Sequence, residues 1–161
     1  IDRDMIKILS LIYFYTFLSL LNANASVDII IVEKSMRILK LMDNGHIIKE
    51  YSIDLGFDPI GHKHFEGDGK TPEGLYYISK KSTNSDFYLS LQISYPNKWD
   101  KRNADSFNRN AGNYIMIHGE PNNKNHSYKK DWTNGCIALS NKDITNLYKY
   151  VLIRTPIYIK K

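Results

Sequence analysis

Short runs of β-branched and aromatic residues alternate with polar turns along most of this chain. Residues 27–32 and 36–42 form two such runs, and a third at 46–53 follows the dipeptide Asn44-Gly45. Short runs of this composition, bounded by turn residues, are typical of strands. Asn-Gly tolerates the positive φ angles of a type I′ turn, so the second and third runs should form a hairpin. The pattern therefore predicts an antiparallel meander.

The rest of the chain adds further strands, loops and helices. Four apolar runs predict strands, at residues 75–78, 87–95, 114–117 and 156–159. Three polar or glycine-rich segments predict loops, at residues 56–74, 97–113 and 120–130. A short helix fits residues 101–107, and a longer helix should follow Ser140, which forms a variant capping box with Asp143. We predict a single, mainly β domain, a sandwich or barrel with one or two short helices and a loop-lined groove.

The first 25 residues have the pattern of a signal peptide. Met5 and Lys7 precede an apolar run at 8–21, and Ala23-Asn24-Ala25 supplies the small residues that a signal peptidase requires. The run is shorter than the ~20 residues of a spanning helix, although an uncleaved anchor is an alternative. Residues 1–4 precede the plausible start at Met5. We predict an exported domain at residues 26–161, with membrane contact only through an uncleaved signal segment.

The composition is that of a folded, basic domain. Apolar residues make up 42% of the 161 residues, which is enough for a core, and the net charge is +5. The Lys and Arg residues are scattered and do not form a tract, which favours a solvated surface over a nucleic-acid-binding face. With one cysteine in the chain, an intramolecular disulfide is excluded.

The only cysteine, Cys136, follows the sequence Thr133-Asn134-Gly135. A thiol becomes a strong nucleophile once a base removes its proton. Gly135 permits a sharp turn of the backbone, which would let the amides of Gly135 and Cys136 point at one developing oxyanion, with Thr133 fixing the turn. The turn at 133–136 therefore predicts a cysteine nucleophile beside an oxyanion site.

His118 is the predicted general base. It follows the apolar run at 114–117, 18 residues before Cys136, and Gly119 leaves its surroundings open. An imidazole can take the thiol proton and return it to a leaving amine. The Gly119 carbonyl is a candidate to orient the imidazole, the role that an Asp or Asn side chain has in other triads.

Two interpretations compete with catalysis. A lone cysteine is more often a packing residue, and a histidine at the end of a strand can be structural. A zinc site is the second alternative, and its potential ligands are His46, His62, His64, His118, His126 and Cys136. The sequence has no second cysteine and no His-Glu-x-x-His motif, so we expect neither zinc nor another cofactor.

The motifs around these residues resemble a known family. Residues 117–119 and 133–137 resemble the signature of the YkuD-type L,D-transpeptidase domain, a His-Gly followed by Ser/Thr-x-Gly-Cys. Residues 67–76 are similar to the Gly-Asp-x-x-Thr-Pro-x-Gly-x-Tyr segment of that family, and residues 94–97 and 132–138 are most similar to its YafK-like branch. The resemblance runs from Val27 to the C-terminus and implies an L,D-transpeptidase-like β-sandwich.

The resemblance implies a periplasmic enzyme of the cell envelope that acts on peptidoglycan. Cys136 would attack the carbonyl at the L-centre of diaminopimelate in a stem peptide and form a thioester. An amine would resolve the thioester in an L,D-transpeptidase. Water would resolve it in a hydrolase, either a carboxypeptidase or an amidase that releases a wall-linked lipoprotein. A non-catalytic wall-binding module is a further alternative.

One position departs from the family pattern. Many members carry an arginine two positions after the cysteine, where it is thought to meet a substrate carboxylate, and this chain has Ala138 there. The candidates for substitute substrate contacts are Tyr95, Trp132, Arg102 and Lys129. The loop at 56–74 is expected to cover a groove that a strand floors, which would exclude water from the thioester.

Overall fold

A computed structural model describes residues 27–123 and 129–161, and these ranges contain eight strands and two helices. The strands are β1 (Ile29–Glu33), β2 (Ile38–Asp43), β3 (His46–Ser52), β4 (Gly74–Ser85), β5 (Tyr88–Ile93), β6 (Met116–His118), β7 (Ile137–Ala138) and β8 (Pro156–Lys160). The helices are α1 (Lys98–Ser106) and α2 (Asn141–Tyr150). Within the described residues, neither helix is long and apolar enough to cross a membrane. The prediction of a mainly β domain is confirmed, and the predicted signal segment lies outside the described residues.

The strands form one continuous sheet in the order β3-β2-β1-β8-β4-β5-β6-β7. β8 pairs in parallel with β1 and antiparallel with β4, so the last strand lies in the middle of the sheet. β4 is the longest strand: its residues 74–77 pair with β8, and its residues 78–85 pair with β5. It therefore links two halves of the sheet, and a single hydrophobic core includes buried residues from both halves.

Local sequence explains several boundaries. Asn44 and Gly45 both have positive φ, 48° and 76°, as the predicted hairpin between β2 and β3 requires. α1 begins three residues before the predicted helix, because Asn97 accepts from the amide of Asp100 while the Asp100 side chain accepts from the amide of Asn97. α2 begins after Ser140, whose hydroxyl accepts from the amide of Asp143 at 3.1 Å, as the capping pattern predicted.

The long loop between β3 and β4 is held by buried polar side chains. The Asp68 carboxylate accepts hydrogen bonds from the amides of His64 and Lys70, at 2.7 and 3.0 Å, and from Lys63 Nζ at 2.8 Å. The buried Lys34 ammonium donates to the Thr71 carbonyl at 2.9 Å. These contacts satisfy charges that would otherwise be buried without partners, so the loop has a defined shape.

Candidate active site

Cys136 lies at the end of a tight turn that leads into β7. Gly135 has φ +121°, and a Cβ atom on it would lie 2.5 Å from the Lys70 carbonyl oxygen. The buried Thr133 hydroxyl closes the turn, because it accepts from the Gly135 amide at 3.1 Å and donates to the Cys136 carbonyl at 2.8 Å. Asn134 is exposed at the tip of the turn. The sequence forms this turn because only glycine fits at position 135.

The geometry changes the predicted oxyanion site. The Gly135 amide donates to Thr133 Oγ1, so it is already used and does not point at a substrate. Gly135 therefore shapes the turn and does not supply the predicted donor. The amide of Cys136 is the remaining candidate of the two that the sequence suggested.

Replacing Gly135 with alanine should destabilise the domain and misplace the thiol. The new Cβ would meet the Lys70 carbonyl oxygen at 2.5 Å in a conformation that L residues rarely adopt, and such strain costs about 1–3 kcal/mol before any repacking. Thermal unfolding measures the loss. Gly67→Ala is the matched control, because Gly67 has φ +85° with no atom within 4 Å of the added Cβ. Equal destabilisation by both variants would contradict the close approach at Gly135.

His118 ends β6 and is buried, with 2% of its surface exposed. Its Nδ1 lies 2.7 Å from the Gly119 carbonyl oxygen. Because a carbonyl oxygen only accepts, Nδ1 carries the hydrogen and Nε2 of the neutral ring has the free lone pair. The ring packs between Phe87, at 4.4 Å between centroids, and Trp132, at 5.7 Å.

Gly119 has a steric role in addition to the hydrogen bond that its carbonyl accepts from His118. Its amide donates to the carbonyls of Phe87 and Leu89, at 3.0 and 3.1 Å. A Cβ on Gly119 would lie 2.5 Å from the Asn141 Oδ1 atom, so a larger residue would push apart β5 and the start of α2. The geometry thus places the predicted orienting carbonyl where it fixes the tautomer of His118.

Parallel pairing of β6 with β7 brings the cysteine and the histidine together. Ile117 pairs with Ile137 and His118 with Ala138. Cys136 therefore lies beside Met116, two residues before His118. The thiol donates to the Tyr114 carbonyl at 3.5 Å. Cys136 and His118 line one groove of about 490 Å³. The other residues that line it are Lys80, Ser82, Asn84, Ser85, Asp86, Phe87, Ser90, Gln92, Tyr114 and Met116.

Burial sets the charge state of this pair. It raises the pKa of the Cys136 thiol, although the Met116 amide and the charge of Lys63 oppose the rise. Burial also lowers the pKa of His118, against a smaller opposing effect of the Gly119 carbonyl. Both shifts favour a neutral thiol beside a neutral imidazole in the free protein. Nε2 can accept the thiol proton once the thiol turns from the Tyr114 carbonyl toward the imidazole.

The rate at which iodoacetamide alkylates Cys136 in the free protein should therefore be low near pH 7 and should rise into the alkaline range. The raised pKa of the thiol means that the reactive thiolate becomes abundant only above the ordinary pKa of a cysteine. Mass spectrometry of the alkylated protein between pH 5 and 10 measures this profile. A fast rate that stays constant down to about pH 5 would instead indicate a preformed thiolate–imidazolium pair.

The structure corrects the predicted substrate contacts. Tyr95 is 3% exposed and its hydroxyl donates to the Ala111 carbonyl at 2.8 Å, so it is a core residue and cannot touch a substrate. Arg102 and Lys129 are exposed, but neither lines the groove of Cys136. Trp132 contacts the His118 ring, yet it lines a different cavity of about 690 Å³ together with Ala138.

The floor of the groove is a surface that the sequence analysis missed. It consists of side chains on adjacent strands of the sheet, and the loop at 56–74 contributes none of its lining residues. That loop lies behind the turn of Cys136, where the amide of Phe57 donates to the Thr133 carbonyl at 2.9 Å. The signal for the floor was the alternation of polar Ser90 and Gln92 with buried Leu91. That these side chains form the floor of the groove depends on the pairing of β5 with β4 and β6, which the pattern does not report.

The potential zinc ligands do not converge. Among the described residues, no group of three His, Cys, Asp or Glu side chains is placed to hold a metal ion. His62 contacts the backbone of Glu73, and His64 lies 2.8 Å from the Asn103 amide nitrogen. His126 lies outside the described residues.

Comparison with known proteins identifies a family match and related structures. The model of the YkuD family, described as the L,D-transpeptidase catalytic domain, matches residues 27–159. Among curated proteins, YafK of Escherichia coli (strain K12) is 26% identical over 115 residues, which cover 70% of this chain and 41% of YafK.

Two solved structures are also similar. The helical cell shape determining protein Pgp2 of Campylobacter jejuni is 27% identical, with a TM-score of 0.66, and the match covers 87% of this chain and 52% of Pgp2. Bd1075 of Bdellovibrio bacteriovorus is 29% identical, with a TM-score of 0.61, over 84% of this chain and 48% of Bd1075. The chain thus spans about half the length of these relatives or less.

Proposed function

The chain belongs to the YkuD family of L,D-transpeptidase catalytic domains, and on this premise we propose that it catalyses cysteine-dependent acyl transfer on peptidoglycan stem peptides. The observation that carries the proposal is the single groove that holds both Cys136 and His118. The Nδ1 hydrogen of His118 is held by the Gly119 carbonyl, which leaves Nε2 free to act as the base.

In the proposed first step, the Cys136 sulfur attacks the carbonyl carbon at the L-centre of diaminopimelate. His118 Nε2 takes the thiol proton as the carbon–sulfur bond forms, and the carbonyl oxygen becomes an oxyanion. The Cys136 amide is the proposed donor to that oxyanion, since the Gly135 amide is used by Thr133. The carbon–nitrogen bond then breaks, and the proton passes from Nε2 to the leaving amine. A thioester on Cys136 remains.

In the second step an acceptor attacks the thioester. An amine of a neighbouring stem gives its proton to Nε2 and forms a new amide, and the proton returns to the Cys136 sulfur as it leaves. Hydrolysis is the second candidate function, with water as the acceptor. The observation that favours it is the polar floor of the groove, where the half-buried Ser82 and Gln92 can be hydrated.

The wall substrate agrees with the relatives. Pgp2 is named as a helical cell shape determining protein, and a domain that alters peptidoglycan crosslinks or stems would have such an effect on a cell. We propose peptidoglycan as the partner and the cell envelope as the location, with export through the predicted signal segment at residues 1–25. If the hydrolytic reaction is an amidase, a wall-attached lipoprotein is the proposed second partner.

Digestion of purified sacculi by the purified protein tests the function. Muropeptides are separated and identified by mass, with the Cys136→Ala variant as the control. New links between diaminopimelates identify transpeptidation, shortened stems identify a carboxypeptidase, and release of a lipoprotein remnant identifies an amidase. Muropeptides that are unchanged by folded protein would refute an enzymatic role in the wall.

A further inference from the structure

Lys80 places a cation in the groove of Cys136. Among the described residues that line this groove it is the one Lys or Arg. Within residues 27–123 and 129–161, its ammonium makes no hydrogen bond or ion pair. The neighbouring Lys81 shows the contrast, because it turns to the other face of β4 and donates to the carbonyls of Tyr148 and Val151, at 2.6 and 2.7 Å.

Strand register places Lys80 near the nucleophile. Lys80 pairs with Gln92, and Gln92 pairs with Met116, whose amide faces the Cys136 thiol. Strands in a sheet lie about 4.8 Å apart, so the Lys80 Cα is about 10 Å from the Met116 Cα and, one strand farther, about 14 Å from the Cys136 Cα. The four-carbon stem of a lysine can extend the ammonium by about 6 Å toward the sulfur. The ammonium can thus approach a group bound next to the thiol.

The groove has opposite charges at its two ends. His118 pairs with Ser90, and Ser90 pairs with Ser82. These three paired residues lie between Lys80 and the turn that joins β4 to β5. That turn carries Asp86, the one Asp or Glu among the described residues that line the groove. Ala138, two residues after the nucleophile, supplies no charge. A substrate anion would therefore bind at the Lys80 end.

We propose that Lys80 binds the free carboxylate of the stem residue that leaves when Cys136 is acylated. This inference rests on the proposed function. The residue after the scissile carbonyl places its own carboxylate about one residue length, ~3.8 Å, farther along the stem. On the Met116 side of the thiol, that span brings the carboxylate toward Lys80, whose stem covers part of the remaining distance. Lys80 would therefore select stems that end one residue after diaminopimelate over stems whose terminus is uncharged or absent.

Alkylation of Cys136 by two reagents of similar shape tests the charge without requiring turnover. Iodoacetate is an anion and iodoacetamide is neutral, so the ratio of their rates reports the potential at the thiol. We expect Lys80→Met to lower the iodoacetate-to-iodoacetamide ratio about three- to tenfold at low salt, with less effect at high salt. Lys80→Arg should preserve the ratio. Arg102→Met is the matched control, because Arg102 is exposed outside the groove.

Turnover of two stem tetrapeptides tests the substrate assignment. One has a free C-terminal carboxylate, and the other is its C-terminal amide. We expect Lys80→Met to raise KM for the acid about tenfold, with little change in kcat or in KM for the amide. Lys80→Arg should keep KM for the acid close to that of the wild type.

The outcomes separate the two proposals. If the wild type turns over both peptides and Lys80→Met behaves like Arg102→Met in KM and in alkylation ratio, the assignment of Lys80 is wrong and the proposed function stands. If the wild type turns over neither peptide, the proposed function fails, and the alkylation ratio alone decides whether Lys80 creates an anion site. An unchanged ratio in Lys80→Met would then overturn the site as well.

Discussion

Replacing Cys136 with alanine is expected to abolish turnover, lowering kcat on a peptidoglycan stem by at least about 10⁴-fold. The sulfur is the atom that carries the acyl group in the proposed mechanism, and Cys136 is the one cysteine of the chain. Production of muropeptides measures the rate. The intact mass of the protein after incubation with a stem peptide or a carbapenem should show an acyl adduct on the wild type and none on the variant.

The control for this prediction is the fold. The Cys136 thiol donates a weak hydrogen bond to the Tyr114 carbonyl at 3.5 Å and faces the Met116 amide, whereas Thr133 holds the turn through the backbone of Cys136. Thermal unfolding of Cys136→Ala should therefore be close to that of the wild type, and Cys136→Ser, which keeps the size, should also be folded and inactive. Activity of Cys136→Ala within about tenfold of the wild type would refute the role of Cys136 as the nucleophile.

Local sequence predicted most of the elements of this fold. The hairpin at Asn44 and Gly45 and the start of α2 at Ser140 depend on neighbouring residues alone. The strand over 75–78 was predicted too short, because β4 continues to Ser85 through polar residues that pairing with β5 stabilises. Patterns of hydrophobic residues do not report a strand made mostly of polar residues, even where its partner is the next strand in the chain.

The candidate site shows the same difference between features set by neighbouring residues and features set by strand pairing. Cys136 and His118 could be identified from their own neighbours, whereas their proximity depends on the parallel register of β6 and β7. Tyr95 was predicted to contact substrate, but its ring faces the core, and the sequence does not report which face a residue at the end of a strand presents. Lys80 and Lys81 are adjacent and chemically identical, and only the bulge beside Ser79 and the pairing with Gln92 assign Lys80 to the groove.

In this fold, the loop that supports the Cys136 turn is separate from the side chains that line the groove. The loop at 56–74 was predicted to cover the groove, but it packs against the back of the Cys136 turn. Gly56 makes this possible, because a Cβ on it would lie 2.0 Å from the Gly69 carbonyl oxygen and 2.9 Å from the Gly135 Cα. Three backbone segments therefore meet without side chains between them, and the thiol is presented from a rigid base.

Replacing His118 with alanine is expected to lower kcat by about 10²- to 10⁴-fold, because the general base is lost while the nucleophile remains. The residual rate should rise with pH, since the thiol must then ionise without help and burial holds the pKa of Cys136 above its ordinary value. In the wild type, burial lowers the pKa of His118, so the neutral base is present at and below neutral pH and the rate should depend little on pH there. Product formation between pH 5 and 9 measures both profiles.

Two controls separate the loss of the base from the loss of packing. His46→Ala removes an exposed histidine at the start of β3 and should leave the rate and its pH profile unchanged. His118→Ala leaves a space between Phe87 and Trp132 that added imidazole can enter, so imidazole should restore part of the rate in this variant and none in Cys136→Ala. If the pH profile of His118→Ala matched that of the wild type at a reduced rate, the histidine would be a packing residue and the proton would leave the thiol by another route.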